Sequence, residues 1–86
     1  MIVHVGSILH AYTEGRSSVQ AEGRSLRAIL EHLDRNYPGL RFRVIDEQDR
    51  IRPHIKIFVG DSPVAQLGTR VGAGDEVHIL AALSGG

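Results

Sequence analysis

Eighty-six residues with ten basic and ten acidic side chains and no formal net charge make one domain with one core, because a chain this short buries only about 60% of its unfolded surface. That balance lacks the surplus of Lys and Arg that neutralising a phosphate backbone requires, so nucleic acid is not an expected partner. The absence of cysteine excludes disulfides, thiolate nucleophiles and Cys-ligated zinc, and it suits a reducing, cytoplasmic setting.

In chain order, the opening MIVHVGSILH is too short, and too broken by His4, Gly6 and Ser7, for the apolar stretch of a secretion signal. No apolar run approaches the roughly 20 residues that span a bilayer, so no membrane partner is expected. Within IVHVGSIL, Val3 and Val5 fall on one face and Ile2, His4 and Gly6 on the other, the period of a strand covered mainly on one side. HAYTEGRSS supplies a turn and SVQAE alternates again, which predicts a β-hairpin. Ser25 is a good N-cap for a helix in which Leu26, Ile29, Leu30, Leu33 and Tyr37 share one face, with Arg27, Glu31, Asp34 and Arg35 on the other. YPG ends that helix, because Pro38 disfavours helical geometry at Tyr37 and Gly39 accepts the left-handed conformation.

LRFRVIDEQDRIR reads as a short hairpin excursion outside the core: an anchor at Leu40, a weak strand from Arg43 to Ile45, the polar turn DEQD and a return through Ile51. HIKIFVGDSPV is the clearest strand, with Ile55, Ile57 and Val59 inward, His54, Lys56 and Phe58 outward, and GDSP turning it round. A short edge piece near Val64 leads to Leu67 and Val71, expected lids on the core. VGAGDEV makes a turn, and EVHILAAL is a final strand with Val77 and Ile79 inward, His78 and Leu80 outward. One amphipathic helix covering one apolar sheet face is a two-layer α+β domain. If the first and last strands lie side by side at the centre of the sheet, they run parallel and the helix belongs to the crossover.

This order, with its last strand leading into Gly85 and Gly86, resembles the ubiquitin-like β-grasp proteins, specifically the sulfur carriers of the MoaD, ThiS and CysO type, over essentially the whole chain. SLRAILEHLDRNYPGL, RPHIKIFVGD, GAGDEVHIL and the terminal SGG carry the resemblance. RPHIKIFV and HLDRNYPGL look closer to the cysteine-biosynthesis and molybdopterin carriers than to the thiamine carriers. The resemblance implies a mixed sheet of four to five strands with one main helix packed on one face. It places a β-grasp domain over residues 1–82 and a flexible C-terminal tail over residues 83–86.

It also implies chemistry at Gly86, with Ser84 and Gly85 as the tail that delivers it. An E1-like adenylyltransferase similar to MoeB or ThiF, using ATP and Mg, adenylates the terminal carboxylate; a sulfur donor replaces AMP, and the thiocarboxylate hands sulfur to a synthase. The residues make independent sense of this. A free α-carboxyl has a pKa of about 3.3 to 3.7, so at neutral pH it is an anion and a poor electrophile. The chain carries no P-loop lysine motif, no cysteine and no visible pairing of nucleophile with base, so it reads as a carrier with no bound cofactor, not an enzyme. Five residues from Ala82 reach at most about 17 to 18 Å, and glycines let the backbone enter a narrow channel. Ordering four of them costs roughly 4 to 8 kcal/mol, which contacts on the folded face must offset.

Phe58 and Leu80 are the expected docking residues, with Ile2, also outward by alternation, adding to them, His78 flanking and Arg70 reaching the activating enzyme. His4, His54 and His78 all fall on outward strand faces, but they lack the local spacing and the acidic partner of a zinc site, so no metal is expected. Two other readings stay open. One is a ubiquitin-like modifier forming isopeptides through Gly86, for which Lys56, the only lysine, limits chain building. The other is a structural subunit of a synthase without covalent turnover.

Overall fold

The computed structural model describes residues 1–82. The proposed tail over residues 83–86 lies outside them. Among the described residues, strands β1 (Ile2–Val5), β2 (Ser18–Gln20), β3 (Ile55–Val59), β4 (Ser62–Val64) and β5 (Val77–Ala81) form one sheet in the order β2-β1-β5-β3-β4. β1 pairs antiparallel with β2, with Val3 opposite Val19, and parallel with β5, with Val3 opposite Val77 and Val5 opposite Ile79. β3 returns antiparallel to β5, with Ile57 opposite Ile79. The first and last strands thus sit side by side at the centre, as the expected β-grasp arrangement requires. A parallel pair cannot be closed by a tight turn. Here α1 (Leu26–Asn36) crosses one face of the sheet between them.

Alternation sorts the sheet. Val3, Ile57, Val77 and Ile79 are buried to 2% exposure or less, against Leu26, Ile29, Leu30 and Leu33 of α1, which are fully buried. Leu67 and Val71 close the core as lids, as the sequence predicts. The helix starts where expected: Ser25 has extended backbone and its Oγ accepts from the Ala28 amide at 3.2 Å. Its approach is tight, since a Cβ placed on Gly23 would lie 2.9 Å from both the Ala28 Cβ and the Ile29 amide nitrogen. The helix stops at Tyr37, and Gly39 takes the left-handed conformation at φ 96°.

Two expectations change. The first strand ends at Val5, and Ser7–Tyr12 coils into a 3-10 helix that buries Leu9; the His10 ring donates from Nε2 to the Val5 carbonyl at 2.9 Å. Beyond Gly39, Leu40–Val44 is a short helix, α2, not the anchor and weak strand of an external hairpin. Leu40 and Val44 lie one helical turn apart, which puts both into the core, and Ile45 joins them at 1% exposure. What remains of the hairpin is the single bridge between Ile45 and Ile51. Asp46 organises the turn between them: its Oδ1 accepts from the Gln48 and Arg50 amides, each at 2.9 Å. The Arg50 amide is the chief reason the Asp46 carboxyl is held below its ordinary pKa of 3.8.

The close approach at Gly23 gives a direct test. Gly23→Ala pushes the new methyl against helix backbone and is expected to destabilise the domain by about 1 to 3 kcal/mol. Gly68→Ala, whose Cβ meets nothing within 4 Å, is expected to stay within about 0.5 kcal/mol of the parent. Urea unfolding of the two variants beside the parent measures both, and equal midpoints refute the packing assignment.

Candidate functional site

The sheet face opposite α1 carries the side chains that alternation turns outward. Register arranges them in rows. His4 lies opposite His78, and His78 opposite Phe58, so one row crosses β1, β5 and β3. In the next row Leu80 lies opposite Lys56. On the other side of Leu80, Gly6 leaves room: a Cβ there would come 3.5 Å from the Leu80 Cδ2. Leu80 is 43% exposed. Phe58 is half-buried, and with His78 and Leu80 it lines a shallow depression of about 320 Å³ that also takes in Gly60 and Asp61.

Below the histidine row stands Glu76. Its Oε1 is 2.5 Å from the His4 Nε2, while the His4 and His78 rings stack with centroids 4.6 Å apart and planes 12° from parallel. The hydrogen bond from His4 holds the Glu76 carboxyl below its ordinary pKa of 4.5. The charge on His4 acts in the same sense, and a smaller contribution from the charge on His78 adds to it against the opposing effect of desolvation. The acidic partner that histidine spacing did not reveal is therefore present. The signal was in EVH: residues two apart on a strand share a face. His54 stands apart, just before the start of β3, where its carbonyl accepts from the Ala82 amide at 2.8 Å.

The structure brings Phe58, His78 and Leu80 together and leaves the other two candidates elsewhere. Ile2, 40% exposed, lies on the far side of His4 from Leu80, in a hollow with Ser18, Gln20 and His32. Arg70 bridges to Ser25 ahead of α1 and lines a depression with Met1 and Gly23, at the pole from which β1 and β5 start. The described chain ends at the opposite pole, beside His54. Ser84, Gly85 and Gly86 lie outside the described residues. Sequence reasoning missed Phe42, which α2 leaves 57% exposed. The Arg52 guanidinium stacks 4.7 Å over its ring, and both border a cleft of about 340 Å³ that reaches His54. An aromatic residue inside the charged run RFR was the available signal.

The lowered carboxyl makes a pH test. A group whose pKa is depressed by folding stabilises the fold above its unfolded pKa and loses that contribution as pH falls through its folded one. Glu76→Gln is therefore expected to lower the urea midpoint above pH 4.5, the ordinary carboxyl value, with the difference shrinking as pH falls below it. Below the folded pKa of Glu76 the two proteins should converge. A difference that ignores pH contradicts the pairing.

The ThiS family model matches residues 6–86. The sulfur carrier protein CysO of Mycobacterium tuberculosis is 36% identical, over 98% of this chain and 96% of the relative. A chain in the crystal structure of the Amycolatopsis orientalis BexX/CysO complex superposes with a TM-score of 0.91 at 30% identity, covering 99% of this chain and 98% of that one. Small archaeal modifier protein 1 of Haloferax volcanii superposes with a TM-score of 0.78 at 26% identity, covering 100% and 98%. A family match across nearly the whole sequence, on a sheet whose central parallel pair and single crossing helix are those of a ubiquitin-like β-grasp domain, means that the chain belongs to the ThiS family.

Proposed function

We propose that this chain is a sulfur carrier acted on by other enzymes, and that the Gly86 carboxylate is the group that turns over. The observation that carries the reading is the likeness to the sulfur carrier CysO along the whole chain, joined to the Ser84, Gly85, Gly86 sequence. An E1-like enzyme transfers AMP from ATP to the carboxylate and releases pyrophosphate. A sulfide-level donor then attacks the acyl carbon, the bond to AMP breaks, and a thiocarboxylate remains. On a synthase, in cysteine biosynthesis on the resemblance to CysO, the thiocarboxylate sulfur displaces a leaving group from the acceptor, and water then cleaves the acyl–sulfur bond and regenerates the carboxylate. The half-buried Phe58, His78 and the exposed Leu80 offer the partner a depression, and Leu80 lies only two residues before Ala82, so docking there starts the tail close to the partner.

A second reading, a protein modifier that forms isopeptides, is favoured by the likeness to small archaeal modifier protein 1. Lys56, the only lysine, is exposed on the same outward face beside Leu80. That geometry allows at most one internal side-chain site for self-linkage.

Intact-mass analysis after incubation with ATP, the activating enzyme and sulfide separates the readings. Replacement of one oxygen by sulfur, lost on deletion of Gly86, is the expected result; conjugates on lysate proteins support the modifier instead. A Gly86-deleted chain that still gains sulfur overturns the site assignment. Leu80→Asp, which removes an apolar contact of about 1.5 to 3 kcal/mol, should lower kcat/KM for activation by about ten- to a hundredfold. An unchanged rate would move docking off this face.

A further inference from the structure

The geometry points to a divalent transition-metal site on the free sheet face, formed by His4, Glu76 and His78. Each offers one ligand atom, and the three atoms lie within 4.8 Å of one another. They come from two elements locked together. His4 and His78 are register partners in the central parallel pair. Glu76 is anchored just before β5, where its carbonyl accepts from the Gly60 amide at 2.8 Å. A tetrahedral ion with ligand bonds of about 2.0 to 2.2 Å holds its donors about 3.4 Å apart, so closing the set takes side-chain rotation and no backbone shift. Exposure permits that rotation: the His4 and Glu76 side chains are 37% and 57% exposed. The two rings, now stacked, tilt so that both nitrogens aim at one point, and Glu76 exchanges its hydrogen bond with His4 for a bond to the ion.

The donor set selects the cation. Two imidazoles and a carboxylate, with no thiolate, suit Zn²⁺, Ni²⁺ or Cu²⁺ and are a poor match for Mg²⁺ or Ca²⁺, which prefer all-oxygen shells. Three protein donors leave a tetrahedral ion one open position on the solvent side. The depression bordered by Phe58 and Leu80 adjoins His78, so that open position lies next to the apolar patch.

Titration with zinc chloride alone, followed by calorimetry and by the ring-proton resonances of the histidines, tests the site. The expected result is one zinc per chain, shifts at His4 and His78, and affinity at least tenfold weaker in each of His4→Gln, Glu76→Gln and His78→Gln. His54→Gln should bind as the parent does, and magnesium chloride should give no signal. Circular dichroism without metal confirms that each variant is folded; a variant that is not folded is replaced by the corresponding Ala or Asn variant before its affinity is compared. No zinc binding, equal binding in all variants, or shifts confined to other histidines would overturn the proposal.

Discussion

The parallel pairing of β1 with β5 is the constraint on which the rest of this structure depends. Strands at the two ends of the described chain can lie side by side in parallel only if the intervening chain passes over the sheet and returns. The single long amphipathic helix supplies that crossover. Because α1 occupies one face, the apolar residues Val3, Val77 and Ile79 must turn toward it, and their neighbours His4, His78 and Leu80 must turn away. The outward face is thus a consequence of the crossover as much as of its own residues.

That division also sets the character of the free face. Fully buried leucines and isoleucines on the helix side supply the apolar burial that holds a chain of this size together. The other side can then carry groups that contribute little to the core. There the strands place two stacked imidazoles, a carboxylate, one exposed leucine and the only lysine of the chain, in an ordered array with spacings set by strand register. Small β-strand rows of this kind are stiffer than loops, so polar groups on them keep their mutual geometry.

Legibility in the sequence followed the length and purity of each local pattern. The helix over 26–36 was plain, because Ser25 caps it and four fully buried residues recur at helical spacing. The two strands with clean alternation, over 55–59 and 77–81, were equally plain. LRFRV was not: Leu40, Phe42 and Val44 alternate as a strand would, while Leu40 and Val44 also sit one helical turn apart, and five residues cannot decide between two periods. The turn into the 3-10 helix after Val5 was hidden for a similar reason. At the candidate site, Phe58, His78 and Leu80 were placed on the right face from alternation alone, whereas their separation from Ile2 and Arg70 required the register between strands.

By itself the sequence determined which residues of the main helix and of the cleanly alternating strands face inward, where that helix begins and ends, and the α+β class, because each of these follows from periodicity and capping within a few consecutive residues. Only the tertiary structure decided that Glu76 meets His4, that His4 stacks on His78 and that Arg70 belongs to the opposite pole. The physical reason is that these are contacts between residues as many as 74 positions apart in the chain. They exist because hydrogen-bond register between strands distant in sequence chose one alignment, and no local pattern encodes that choice.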